Sequence, residues 1–75
     1  MVKSKNRYVV CLNNESYEAS LETRKIYESI PDSKAAKHHQ IRIVDESGDD
    51  YLYPANNFIE IKVPHSLEEA LLKAA

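Results

Sequence analysis

Few side chains in this sequence are of types that do chemistry, and their spacing limits what each can do. The one cysteine, Cys11, sits in the apolar run Val9-Val10-Cys11-Leu12. A thiol there reads as a small core residue, because a catalytic thiol needs a histidine base and an exposed electropositive setting. His38 and His39 are adjacent and His65 is remote. Neighbouring histidines on extended chain point apart, and no C-x-x-C or H-x-x-x-H spacing gathers donors, so no metal site is expected. Asp45-Glu46-Ser47-Gly48-Asp49-Asp50 is rich in carboxylate oxygens, but it lacks the ligand spacing and distal bidentate carboxylate of a calcium loop. It reads as a solvated hairpin turn. With no nucleophile–base pair and no phosphate loop, an enzyme is not expected, and neither is a cofactor.

The tyrosines carry more information. Tyr8, Tyr17, Tyr27, Tyr51 and Tyr53 are more than the core of a 75-residue chain needs. Tyrosine offers large amphipathic contact area at low entropic cost, so a set of them on one exposed face would mark a protein interface. The basic segment Lys34, Lys37, His38, His39 and Arg42 suggests a different use. With Tyr27 or Tyr53 as a stacking platform it would bind single-stranded nucleic acid. The acidic tip at 45–50 opposes that use, since it would repel a polyanion.

These groups need elements to hold them. The chain is a single domain spanning 1–75, and at that length it buries only about 60% of the surface its unfolded form exposes. A formal charge of −2 requires neither nucleic acid nor a membrane surface as partner. One cysteine cannot form an internal disulfide, and the apolar run near the start is too short for a signal-peptide core. No stretch approaches the roughly 20 apolar residues of a membrane span, and a cytoplasmic protein is expected. Residues 1–6 are polar and should be disordered. Arg7 to Leu12 is a continuous β-branched run that fits a buried strand. Residues 15–28 read two ways. Tyr17–Leu21 and Ile26–Ile30 are helical i,i+4 pairs, yet Leu21 and Ile26 are five apart and break the stripe. Pro31 disfavours helix at Ile30, so a long loop leading into a strand at about 24–30 is preferred.

Ser33 to His38 has room for one helical turn before a strand at Ile41–Val44. Asp45 to Asp49 fits a type I turn closed by a left-handed Gly48. That turn sets Ile43 opposite Tyr51, Arg42 opposite Leu52 and Ile41 opposite Tyr53, with Ile41, Ile43, Tyr51 and Tyr53 on one side. Pro54 ends this strand, and Phe58 to Val63 alternates as the last one. Ser66-Leu67-Glu68-Glu69 has capping-box spacing for a terminal helix at 66–75, with Leu67, Ala70, Leu71 and Ala74 as its stripe.

The order of strand, long loop, two strands, tight hairpin, proline-led turn and last strand resembles the Src-homology-3-like (SH3-like) barrel. Tyr53-Pro54-Ala55-Asn56-Asn57-Phe58 is similar to the segment where that family passes through a 3₁₀ turn into its last strand. The resemblance implies a mainly β fold, a small barrel of about five strands with a short C-terminal helix. The chain is also similar to short uncharacterised bacterial proteins with the pattern DESGxDYLYP. In peptide-binding SH3-like members, the turn's proline joins aromatic residues in a polyproline-binding face. Pro54 matches that proline, while Asn57 stands where the face carries a tyrosine, and the chain has no tryptophan. The leading expectation is a non-catalytic protein-interaction or regulatory module whose binding residues are Tyr51, Tyr53, Pro54, Asn57 and Tyr17. The rivals are a nucleic-acid-binding barrel using Lys34, Lys37 and Arg42, and an accessory subunit that docks by an edge strand or its terminal helix on a larger complex or on its own copy.

Overall fold

The β-branched run near the start becomes β1 (Arg7–Cys11), and both of its edges are taken. On one side it pairs antiparallel with β2 (Ile26–Ile30), and on the other with β5 (Phe58–Ile61). Beyond β2 lie β3 (Gln40–Val44) and β4 (Asp50–Pro54), giving one antiparallel sheet in the order β4-β3-β2-β1-β5. A short helix α1 (Ser33–Lys37) links β2 to β3, a 3₁₀ turn (Ala55–Asn57) links β4 to β5, and α2 (His65–Ala74) follows β5. The computed structural model describes residues 6–74, with side chains described as far as Leu71. The disorder expected of residues 1–6 falls, apart from Asn6, outside the described residues, as does the last residue of the terminal helix. Among the described residues, no helix is long and apolar enough to cross a membrane.

The fold is mainly β, as the strand pattern implies, but the sheet is not closed into a barrel. Pro54 ends β4 without an N–H to donate, the 3₁₀ turn redirects the chain, and β5 pairs with β1 rather than with β4. Among the described residues the sheet therefore keeps two free edges, β4 and β5. It curls enough to build a core of Val9, Cys11, Leu21, Tyr27, Ile43, Tyr53 and Phe58 on its concave side. Tyr17 and Ile41 pack against that cluster.

The hairpin at Asp45–Asp49 has the geometry its residues dictate. Gly48 takes φ +87° and donates its N–H to Asp45 O at 3.0 Å. Asp45 N–H bonds Asp49 O, and the register then runs Val44–Asp50, Ile43–Tyr51, Arg42–Leu52 and Ile41–Tyr53. The ambiguous segment is a loop and not a helix: after Cys11 the chain stays irregular until β2, with Ser16 and Arg24 at positive φ. Its ends are nonetheless pinned, by Cys11 N–H to Lys25 O and by Arg24 N–H to Cys11 O.

Asp32 caps α1 through its carboxylate, which accepts the Ala35 N–H at 2.9 Å. His39 ends α1 at φ +58°, donating its N–H to Ala36 O. A left-handed residue with a Cβ is strained there, where glycine is the usual choice. His39→Gly is therefore expected to stabilise the domain by about 0.5–1 kcal/mol, read as a raised urea midpoint at constant slope. A lowered midpoint would mean that the His39 ring makes a compensating contact. At the other end of the chain, α2 begins at His65, one residue before the capping box implies. Glu68 N–H reaches Pro64 O at 2.9 Å, so the helical ladder starts from that carbonyl, and Ser66 lies inside the first turn.

Candidate functional site

Tyr53, expected at the binding face, and Tyr27, expected as a stacking platform for nucleic acid, are both buried. Tyr53 is 4% exposed, its ring edge-on to Tyr17 with centroids 5.0 Å apart and to Phe58 at 6.2 Å. Its hydroxyl donates to Asp45 Oδ2 at 2.5 Å and lies 3.1 Å from Ser20 Oγ. Asp45 is likewise buried, not part of a solvated tip, and its other oxygen accepts from the Ser47 N–H and hydroxyl. Burial pushes the Asp45 carboxyl up, but the donors from Ser47 and Tyr53 outweigh it and hold the group below its usual value.

Tyr27 repeats the pattern one residue along. Its hydroxyl accepts the Glu22 N–H at 2.7 Å and donates to Glu46 Oε2 at 2.5 Å. Lys25 Nζ meets the same oxygen at 2.5 Å and lies over the Tyr27 ring. The ammonium first, and the phenol second, hold Glu46 below the ordinary carboxylate range. Glu46 N–H also bonds Ser20 O. Consecutive carboxylates of the hairpin thus receive hydroxyls from β2 and β4, and together these bonds tie the long loop to the turn. The arrangement positions backbone.

The remaining expected binding residues are scattered. Tyr51 is the exposed tyrosine, at 53%, while Tyr8 and Tyr27 are buried and Tyr17 is half-buried. No group of tyrosines shares an exposed face among the described residues. Pro54 and Asn57 are half-buried at the two ends of the 3₁₀ turn, and Asn57 O accepts the Leu12 N–H at 2.7 Å. Tyr17 joins this neighbourhood only through the buried Tyr53 ring. Exposed apolar side chains that the turn motif does not mark stand elsewhere: Leu12, Leu52, Ile59 and Leu67.

The basic alternative is divided too. Lys34 and Lys37 are exposed on α1, but Arg42 is committed to two carboxylates, Nε to Asp32 at 3.0 Å and Nη1 to Asp50 at 2.8 Å. Tyr27 and Tyr53 are buried and offer no stacking platform. Cys11 is fully buried, and burial pushes its thiol up, away from thiolate reactivity. Among the described residues no three His, Cys, Asp or Glu side chains gather as a metal site. No protein-family model, curated protein or solved structure matches the chain.

The exposed tyrosine stands on the β3–β4 hairpin. Tyr51 and Leu52 project from opposite faces of β4, a strand with no outer neighbour among the described residues, and the adjoining turn carries Glu46 and Asp50, paired with Lys25 and Arg42, and the exposed Asp49. Consecutive strand residues alternate in side, so a partner reaching both side chains must straddle the β4 edge.

Proposed function

We propose that this chain is a non-catalytic protein-interaction module whose partner engages the β3–β4 hairpin. The observation that supports the reading is Tyr51, the tyrosine that stands in solvent, beside exposed Leu52 and the acidic turn. Tyrosine in such a place contributes contact area without a role in the core. A partner surface of complementary chemistry is apolar at its centre and basic at its rim. An SH3-like kinship is part of the proposal, supported by the strand order and by the 3₁₀ turn after Pro54. The use of the surface differs from polyproline binding, since Tyr53 is in the core and Asn57 replaces an aromatic ring.

Tyr51→Ala is expected to leave the melting temperature within a degree or two of the parent, since an exposed side chain contributes little to stability. Capture of a protein partner by the domain should fall about tenfold or more, as for an interface anchor. Lys34→Ala with Lys37→Ala should leave capture unchanged. Undiminished capture by folded Tyr51→Ala would overturn the reading. Loss of capture in the lysine variant, together with salt-sensitive binding to single-stranded RNA, would move the assignment to nucleic acid.

A further inference from the structure

The two free edges of the sheet are not equivalent, and the ladder hydrogen bonds show which backbone groups each presents. In an antiparallel pair, residues that exchange hydrogen bonds alternate with residues whose N–H and C=O point away. On β4, the bonds Asp45 N–H to Asp49 O and Ala55 N–H to His39 O fix the phase. Tyr51 and Tyr53 therefore face β3, and Asp50, Leu52 and Pro54 face outward. Pro54 has no N–H, and Asp50 is paired with Arg42, so this edge offers little to an incoming strand.

On β5, Leu12 N–H bonds Asn57 O, so Ile59 and Ile61 face β1 while Phe58 and Glu60 face outward. The strand ends at Ile61, and an extension of it by two residues would carry the same alternation on and turn Lys62 outward. The Phe58 N–H turns back to Ala55 O, consistent with that phase. Glu60 and Lys62 are both exposed, and no proline interrupts the run before Pro64. Ile59, on the opposite side of β5, is 54% exposed.

We propose that β5, extended through Val63, pairs antiparallel with the same segment of a second copy of this chain, about a two-fold axis at Ile61. Outward-facing residues must meet outward-facing residues, which restricts the register to steps of two. With Ile61 opposite Ile61, Glu60 meets Lys62 of the second copy and Lys62 meets its Glu60. Ile59 then meets Val63, covering its exposed side chain. The neighbouring registers are poor. One step toward the amino end sets Glu60 against Glu60, and one step the other way sets Lys62 against Lys62. Like charges directly opposite are destabilising, so the charge pattern favours this register over the two beside it. Glu60 already lies 3.3 Å from Arg7 with over half its side chain exposed, which leaves it room to accept a second cation. The proposal is independent of what engages β4.

An edge-strand pair of this length is smaller than the roughly 1,200–2,000 Å² of a stable interface, so the dimer is weak and seen at high concentration. Sedimentation velocity from micromolar to millimolar protein should show a monomer–dimer equilibrium. The amides of Glu60 and Lys62 should gain hydrogen-exchange protection as the dimer fills. Glu60→Lys and Lys62→Glu should each weaken the dimer at least about tenfold, because each puts like charges opposite twice. An equimolar mixture of the two variants should recover association as a heterodimer, one strand all basic and the other all acidic. The double swap within one chain should recover it as well. Unchanged circular dichroism and melting temperature in each variant separate loss of pairing from loss of fold. A monomer at every concentration, a dimer indifferent to charge reversal, or a mixture that does not associate would each overturn the proposal.

Discussion

Tyr53→Ala should strip the domain of a large share of its stability. Removing a buried aromatic ring costs about 3–5 kcal/mol, and a domain of 75 residues at roughly 0.05–0.15 kcal/mol per residue has only about 4–11 to lose. The ring is the meeting point of Tyr17, Phe58 and the β3–β4 ladder, so its loss removes contacts on three segments together. Tyr53→Phe separates the two parts of the side chain. It keeps the ring and removes the donor to Asp45, and it should cost about 1–3 kcal/mol, the penalty for a buried acceptor left short of a partner. Urea unfolding followed by circular dichroism measures both. Near-parental stability of Tyr53→Ala would mean that Tyr53 is not the keystone of the concave side.

That residue also shows where sequence reasoning stops. The turn residues Asp45 and Gly48 set the hairpin register locally, and every cross-strand pair derived from them is present. Register correctly puts Ile41, Ile43, Tyr51 and Tyr53 on one side. It says nothing of curvature, and it is the curl of the sheet that covers Tyr53 with Tyr17 and Phe58 while leaving Tyr51, toward the hairpin end, in solvent. The partners of Tyr53 come from Ser20 and Asp45, which no periodicity links to it. Arg42 was equally opaque, because its neutralising carboxylates arrive from the α1 cap and from β4. The loop between β1 and β2 carries left-handed residues at Ser16 and Arg24, neither of which is the glycine that would have signalled them. The open edges have a similar origin: alternation in Phe58 to Val63 identifies a strand but not its neighbour. Once the ladder phase is known, the same residues say which backbone groups face out, and Glu60 and Lys62 acquire a meaning that their positions in the sequence alone did not carry.

The hairpin carboxylates make stability depend on pH at both ends of the scale. Asp45 and Glu46 are held below their ordinary values of 3.8 and 4.5, Asp45 because donors from Ser47 and Tyr53 outweigh its burial, and Glu46 chiefly by Lys25. A carboxylate whose folded value is depressed stabilises the fold above its unfolded value, and that contribution is lost as pH falls through the folded one. The tyrosines act in the opposite direction. Burial first, then the facing carboxylates, raise Tyr27 and Tyr53 above 10.0. Their contribution is complete below that value and is lost as pH rises through the raised ones. A stability plateau between about pH 5 and pH 10, falling on both sides, is therefore expected. Asp45→Asn should lower the plateau by about 1–3 kcal/mol, since an amide has one oxygen where the carboxylate offered two, and three donors converge on it. The same variant should make the acid limb shallower, because one of the two hairpin carboxylates that titrate there is gone. Tyr27→Phe should make the alkaline limb shallower, with Tyr53 still titrating there, and leave the acid limb steep, since Lys25 still holds Glu46. Stability measured by urea unfolding across pH tests all three shapes. An acid limb as steep in Asp45→Asn as in the parent would show that other carboxylates, Asp32 in the α1 cap first among them, govern acid unfolding.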